Sequence, residues 1–298
     1  MNYHQLGNSS LQVSEISMGC MSMKGTDQDW ATMINRAIES GINSFDTADL
    51  YDHGENEIAL GKALGHKRKE VLITSKAGNQ WRSDGTGWDW NPGKDYILQC
   101  ANDSLKRLNT EWIDLFLLHG GTIEDPIDET IEAFEILKRQ GKIRFYGISS
   151  IRPNVIREYI KRSSICSVMM QYSLLDRRPE ESCFELIEQA GLSVLVRGSV
   201  AKGLLVDKTA TAFLNYSAEQ VEKEKDAVNA LSGETRTPAQ TAIQWVLRMP
   251  VVASAVVGIR TSGQLDDAVH AMNTKTLQQS EVETLNGMLP INFYEQHR

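Results

Sequence analysis

Four side chains of complementary chemistry stand at or just past the ends of three short apolar runs. They are Asp46 and Tyr51 in SFDTADLY, Lys76 in VLITSK and His119 in DLFLLH. Brought together, this carboxylate, phenol, ammonium and imidazole could protonate a carbonyl oxygen while a hydride attacks its carbon. Tyrosine alone is a poor acid, with a reference pKa of about 10. A neighbouring ammonium stabilises the phenolate and lowers that value, and a carboxylate can hold the ammonium in place. The set points to carbonyl reduction without a metal.

Taken singly, each residue has a plainer reading. Asp46 could be a turn carboxylate, Tyr51 a loop aromatic, Lys76 a strand-end lysine and His119 a satisfied core histidine. What argues for a common site is the strand period. Alternate side chains of a strand share a face. Ser44, Asp46 and Ala48 share one, as do Leu72, Thr74 and Lys76, and Leu115, Leu117 and His119.

Apolar runs of strand length end at Met18, Ala48, Lys76, His119, Ser149, Tyr172, Arg197 and Val257. Before them, two short stretches flank Gly7-Asn8-Ser9-Ser10 and read as a small hairpin. Helical patterns separate the runs. Ile127, Ile131, Phe134 and Leu137 fall on one helical face, with Asp128, Glu132, Glu135 and Arg139 on the others. Asn91-Pro92 reads as an N-cap followed by a proline at the first helical position, and Gly41 and Gly141 as C-terminal glycines.

Strands alternating with helices predict a closed (β/α)8 barrel, with residues 1–298 as one domain. Barrel active sites lie at the carboxyl ends of the strands, where the four residues fall. A doubly wound open sheet is the competing arrangement. It normally carries GxGxxG after its first strand, and this chain has neither that motif nor GxxxxGK[ST].

Composition narrows the partners. A net charge of −8 argues against broad nucleic-acid or anionic-membrane binding, while leaving room for a local basic pocket. Cys20, Cys100, Cys166 and Cys183 form no CxxC pair and read as reduced thiols of a cytoplasmic protein. The N-terminus reads as no signal peptide, and no apolar run is long enough to span a membrane.

At FDTADLYDHGENE, ITSK and LLH the chain resembles the aldo-keto reductase superfamily, its bacterial short-loop members in particular. Supporting stretches are GCMSM, GKIRFYGISS, QYSLLDR and VVGIRTSGQLDDA. The resemblance implies NADPH-dependent reduction of an aldehyde or ketone. It makes Tyr51 the general acid, Lys76 the group that lowers its pKa, Asp46 the partner of Lys76, and His119 the residue that orients the carbonyl.

The same resemblance implies a cofactor path. Gly19, Cys20 and Met21 lie after the first barrel strand, and Asp46, Ser149, Gln171 and Arg197 near the nicotinamide. Gly198, Ser199, Val200, Lys202, Gly203 and Leu205 cover the pyrophosphate. Gly258, Arg260, Thr261 and Gln264 lie at the adenosine end, where a guanidinium can grip a 2′-phosphate. Three positions depart from the common pattern. Arg197 stands for an aromatic, and Ser150 and Ala268 each stand for an asparagine.

The loop WRSDGTGWDW has no counterpart in the resemblance. Its Trp81, Trp88 and Trp90 are candidates to line an apolar substrate pocket with Tyr51 and His119. Trp30 and the segment NFYEQHR are lesser candidates for the mouth. Two readings of function follow: a carbonyl reductase acting on a small molecule, or a cofactor-binding redox sensor or regulatory subunit with the same fold and slow turnover. The sequence leaves the physiological substrate and the oligomeric state open.

Overall fold

In a computed structural model that describes residues 1–298, the apolar runs become eight parallel strands closed on themselves. A hairpin of β1 (Tyr3–Gln5) and β2 (Gln12–Ser14) precedes them. The barrel then uses β3 (Ile16–Gly19), β4 (Ser44–Asp46) and β5 (Leu72–Ala77). A second hairpin, β6 (Asn79–Trp81) with β7 (Trp88–Trp90), stands outside it. The barrel resumes with β8 (Ile113–Leu118), β9 (Ile143–Ser149), β10 (Ser167–Gln171), β11 (Ser193–Arg197) and β12 (Val252–Gly258). β12 pairs with β3 and closes the ring.

Helices return the chain between strands: α1 (Asp27–Glu39), α2 (Glu55–Leu64), α3 (Lys94–Arg107), α4 (Ile127–Arg139) and α5 (Pro153–Arg162). They continue with α6 (Cys183–Gln189), α7 (Ala218–Leu231) and α8 (Pro238–Leu247), and α9 (Ser262–His270) and α10 (Gln279–Met288) follow β12.

The strand period divides the core in two. Leu115, Leu117, Met169, Leu195 and Ala253 point inward and pack on Leu6, Leu11 and Val13, so the N-terminal hairpin plugs the barrel. Phe116, Leu118, Ile73 and Ile148 point outward and belong to the larger core under the helices. Each such side chain is worth roughly 1.5–3 kcal/mol when fully buried. The amphipathic reading of α4 holds: Ile127, Phe134 and Leu137 are buried and Ile131 packs against the core. Gly41 and Gly141 sit just past α1 and α4 with φ of 92° and 72°, a backbone region open to glycine.

Some boundaries differ from the sequence reading. β4 stops at Asp46, two residues before Ala48, because the chain turns there and Tyr51 N–H donates to the carbonyl of Ala48. His119 and Tyr172 lie one residue beyond β8 and β10. The Asn91-Pro92 cap is displaced as well. Asn91 Oδ1 accepts from Gly93 N–H at 3.0 Å, a local turn, so Gly93 becomes the N-cap and α3 begins at Lys94. The tryptophan loop is a two-stranded hairpin, clipped by Arg82 and Asp89 at 2.6 Å.

Candidate active site

Three consecutive strands of the ring, β4, β5 and β8, carry the four chemical residues to one arc of its carboxyl end. Lys76 is almost fully buried, with 1 % of its surface exposed. A buried ammonium must be paired and hydrogen-bonded. Its Nζ lies 2.7 Å from Asp46 Oδ1, donates to the carbonyl of Thr47 at 2.6 Å, and donates to the hydroxyl of Tyr51 at 3.2 Å. Nζ also stands 4.8 Å over the Tyr51 ring.

The imidazole of His119 meets the Tyr51 ring edge to face, with centroids 6.0 Å apart. Burial, with the charges of Lys76 and Arg197, lowers its pKa to about 3, so the ring is neutral at physiological pH. Its Nδ1 is buried without a partner. A buried N–H lacking an acceptor is rarer than an unused acceptor, which places the proton on Nε2.

Burial raises the Tyr51 phenol above its ordinary value, and Lys76 and Arg197 pull it back while Asp46 pushes it up. The lowering expected of Lys76 is present, and burial, which spacing does not reveal, outweighs it. The phenol therefore starts as an acid with its proton on. For Lys76, burial acts to remove the proton, but Asp46 and Tyr51 outweigh it and the pKa rises. Burial also raises the Asp46 carboxyl, against the pull of Lys76.

The remaining arc, β9 to β12 and then β3, carries the other candidate positions. Ser149 closes β9 and Gln171 closes β10. Arg197, at the end of β11, donates to Gln171 Oε1 at 3.1 Å and forms no ion pair. Gly198, with φ of 77°, begins a turn in which Ala201, Lys202 and Gly203 are also left-handed. A Cβ on Gly198 would come within 3.3 Å of the Gln171 side chain. Ser199 is buried within the turn, Val200 is partly buried and Lys202 is exposed.

Beyond β12, Gly258, Arg260 and Thr261 are exposed. Thr261 caps α9 by accepting from Gln264 N–H, and Gln264 Oε1 accepts from Arg260 N–H at 2.9 Å. No acidic residue occupies the first turn of α9, so the N–H groups there that Thr261 does not cap suit an anion. Gly19, the last residue of β3, is buried, and Met21 beyond it is 58 % exposed. Cys20 and Leu205 have no accessible surface, so they can shape a binding surface from behind but cannot touch a ligand.

The tryptophans divide. Trp81 stacks on His53 with centroids 3.6 Å apart, two residues beyond Tyr51. Trp88 faces Trp81 across the hairpin and is 47 % exposed. Trp90 is tied down: its Nε1 donates to Asp125 Oδ1 at 2.9 Å, and its ring covers Gly78 and Gly120. Trp30, in the first turn of α1, is 4 % exposed and packs into the larger core. In the C-terminal segment, Asn292 holds Arg177 N–H and the Leu175 carbonyl, leaving Phe293 exposed. Sequence reasoning missed His53, and it missed the link of Asp49 to Tyr96 and Asn79. Asp49 lay inside DTADLY, whereas its partners are distant in sequence and gave no signal.

A sequence model of the Aldo/keto reductase family matches residues 15–289. The chain belongs to the aldo-keto reductase family. It is 45 % identical to the uncharacterized oxidoreductase YqkF of Bacillus subtilis (strain 168), over the whole of both chains. Among solved structures, this aldo-keto reductase superposes on the aldo-keto reductase AKR11C1 of Bacillus halodurans. With the holo form the TM-score is 0.93 at 46 % identity, covering 100 % of this chain and 99 % of that one. With the apo form of the same protein the TM-score is 0.85, at 43 % identity and the same coverage. The (β/α)8 barrel and membership of an oxidoreductase family stand on these matches and on the strand order.

Proposed function

We propose that this aldo-keto reductase reduces an aldehyde or ketone to an alcohol with NADPH, Tyr51 acting as the general acid. The observation that carries this reading is the buried Lys76, held between Asp46 and the Tyr51 hydroxyl. An ammonium in that place stabilises the phenolate left when the phenol gives up its proton. His119, neutral and protonated on Nε2, can donate to the same carbonyl oxygen and fix its direction. When bound, the reduced nicotinamide supplies the hydride to the carbonyl carbon.

The fit of the cofactor rests on this chain's own residues. Ser149 and Gln171 offer hydrogen-bonding groups beside the four residues. The left-handed turn from Gly198 to Gly203 brings main chain close to any ligand lying over it. Arg260 and the N-terminus of α9 suit a phosphate. The greater likeness to the holo form of AKR11C1 supports a site shaped to receive its cofactor. A cytoplasmic location belongs to the same reading and is supported by four free, buried cysteines; no helix is long and apolar enough to cross a membrane.

The test is NADPH oxidation across aromatic aldehydes, short aliphatic aldehydes, dicarbonyls and ketones. Turnover with at least one class is expected. Tight NADPH binding without turnover on any of them would replace this reading with that of a cofactor-binding sensor.

A further inference from the structure

Behind Tyr51 lies a second acid that the proposed reaction does not use. Asp49 sits on the turn between β4 and Tyr51 and is 7 % exposed. Its Oδ2 accepts from the Tyr96 hydroxyl at 2.9 Å and from the Cys100 thiol at 3.0 Å, both on α3. Its Oδ1 is buried with no partner. A buried carboxylate with an empty oxygen is expensive, and the fold has a cheaper residue in asparagine or a small apolar side chain.

The contacts of Tyr96 suggest what that expense secures. The same hydroxyl lies 3.3 Å from the carbonyl of Asn79, and Asn79 Nδ2 donates to the carbonyl of His119 at 3.2 Å. One chain of polar contacts thus runs from the turn bearing Tyr51, through α3, to the strand end bearing His119. The two rings that must converge on one carbonyl oxygen are fixed relative to each other by it.

We propose that Asp49 is a positioning residue for the reduction, holding the turn of Tyr51 in register with the strand end of His119 through Tyr96 and Asn79. This rests on the assignment of Tyr51 as the acid. In the ionised state Oδ2 accepts from both donors, and Tyr96 has one proton to divide between Asp49 and the Asn79 carbonyl. A proton on Oδ2 reverses the bond to Tyr96, whose own proton then turns to Asn79, and a proton on Oδ1 is a buried donor with no acceptor, so protonation rearranges the link.

Burial lifts the Asp49 carboxyl to about 6, against the pull of Cys100 and Tyr96, and Glu57 of α2 adds to the rise. Arg107 of α3, 2.7 Å from Glu57, also acts across this pocket, and Ser75 Oγ donates to Glu57 from β5. Lys76 presents only its carbonyl to Asp49, which donates its N–H there at 3.4 Å. The link takes its ionised form near neutral pH and rearranges as pH falls through that value.

The experiment is kcat against pH at saturating NADPH, for the wild type, Asp49→Asn and Tyr96→Phe, with NADPH affinity measured by fluorescence titration. The wild type should lose activity on the acid side of about pH 6. Asp49→Asn should bind NADPH normally, turn over at least roughly tenfold more slowly at neutral pH, and lose that acid limb, since small displacements of reacting groups are costly. Tyr96→Phe, which removes one hydroxyl from a partly buried residue, should do the same and carries the test if Asp49→Asn does not fold. An acid limb unchanged in either folded variant would overturn the proposal and assign the limb to another group, Asp46 first. A fall in kcat that only tracks lost NADPH affinity would also overturn it. If the wild type reduces no carbonyl, the assignment of Tyr51 itself fails.

Discussion

Lys76 donates to the hydroxyl of Tyr51 across 3.2 Å, yet that phenol stays above its ordinary pKa. The ammonium therefore limits the penalty that burial sets on the phenolate. Removing it leaves the whole penalty in place. Lys76→Met deletes the charge and keeps much of the stem, and Asp46→Asn releases the ammonium from its partner at 2.7 Å. Because both act through one hydroxyl, their losses in kcat/KM should be strongly non-additive. Steady-state kinetics of the double variant should match Lys76→Met alone, and losses that multiply would show that the two act separately.

At the far end of the proposed cofactor path, Arg260 is exposed and forms no ion pair, while its main chain is held by Gln264. Arg260→Ala should thus spare the loop and remove only the guanidinium. A lost charge-assisted bond is worth about 1.5–3 kcal/mol, roughly 10- to 150-fold in affinity. NADPH binding should weaken by that factor and NADH binding by much less, as read by fluorescence titration. Equal losses for the two would mean that Arg260 does not contact the 2′-phosphate.

Glu224 on α7 is 1 % exposed, and burial raises its carboxyl to about 8, with Arg177 and Lys223 pulling against it. Its Oε1 has no partner. The folded state thus prefers the neutral acid. Its contribution to stability is complete below the unfolded value of about 4.5 and is lost as pH rises through about 8. Glu224→Gln should grow more stable than the wild type as pH rises from about 4.5 to about 8, by on the order of a few kcal/mol at the alkaline end, read as a rising difference in Tm. A Tm difference independent of pH would contradict this.

The barrel was legible because its signals are local. The strand period alone decides that Lys76 shares a face with Leu72 and Thr74, and burial of that face inside a closed ring brings Asp46 and Tyr51 to it. Asn91 shows the limit of such reading. Its side chain bonds two residues ahead instead of capping α3, and the two outcomes look alike in sequence. The hairpin within the tryptophan loop was not legible for a related reason. Its strands gain their partner only across a glycine-rich turn, and Trp90 is fixed by Asp125, which lies 35 residues away. Asp49, Tyr96 and Asn79 meet only in three dimensions. The raised pKa of Tyr51 depends on how deeply it is buried, which spacing does not reveal.

The central claim is that Tyr51 delivers the proton, and single-turnover reduction by Tyr51→Phe tests it most directly. The substitution removes one oxygen and keeps the ring that stands over Lys76 and against His119. Mixed with NADPH and then with a reducible aldehyde, the variant should bind the cofactor as the wild type does. It should oxidise that cofactor roughly 10²–10⁴-fold more slowly, the usual worth of general acid catalysis. A folded variant that reduces the aldehyde at the wild-type rate would contradict the account.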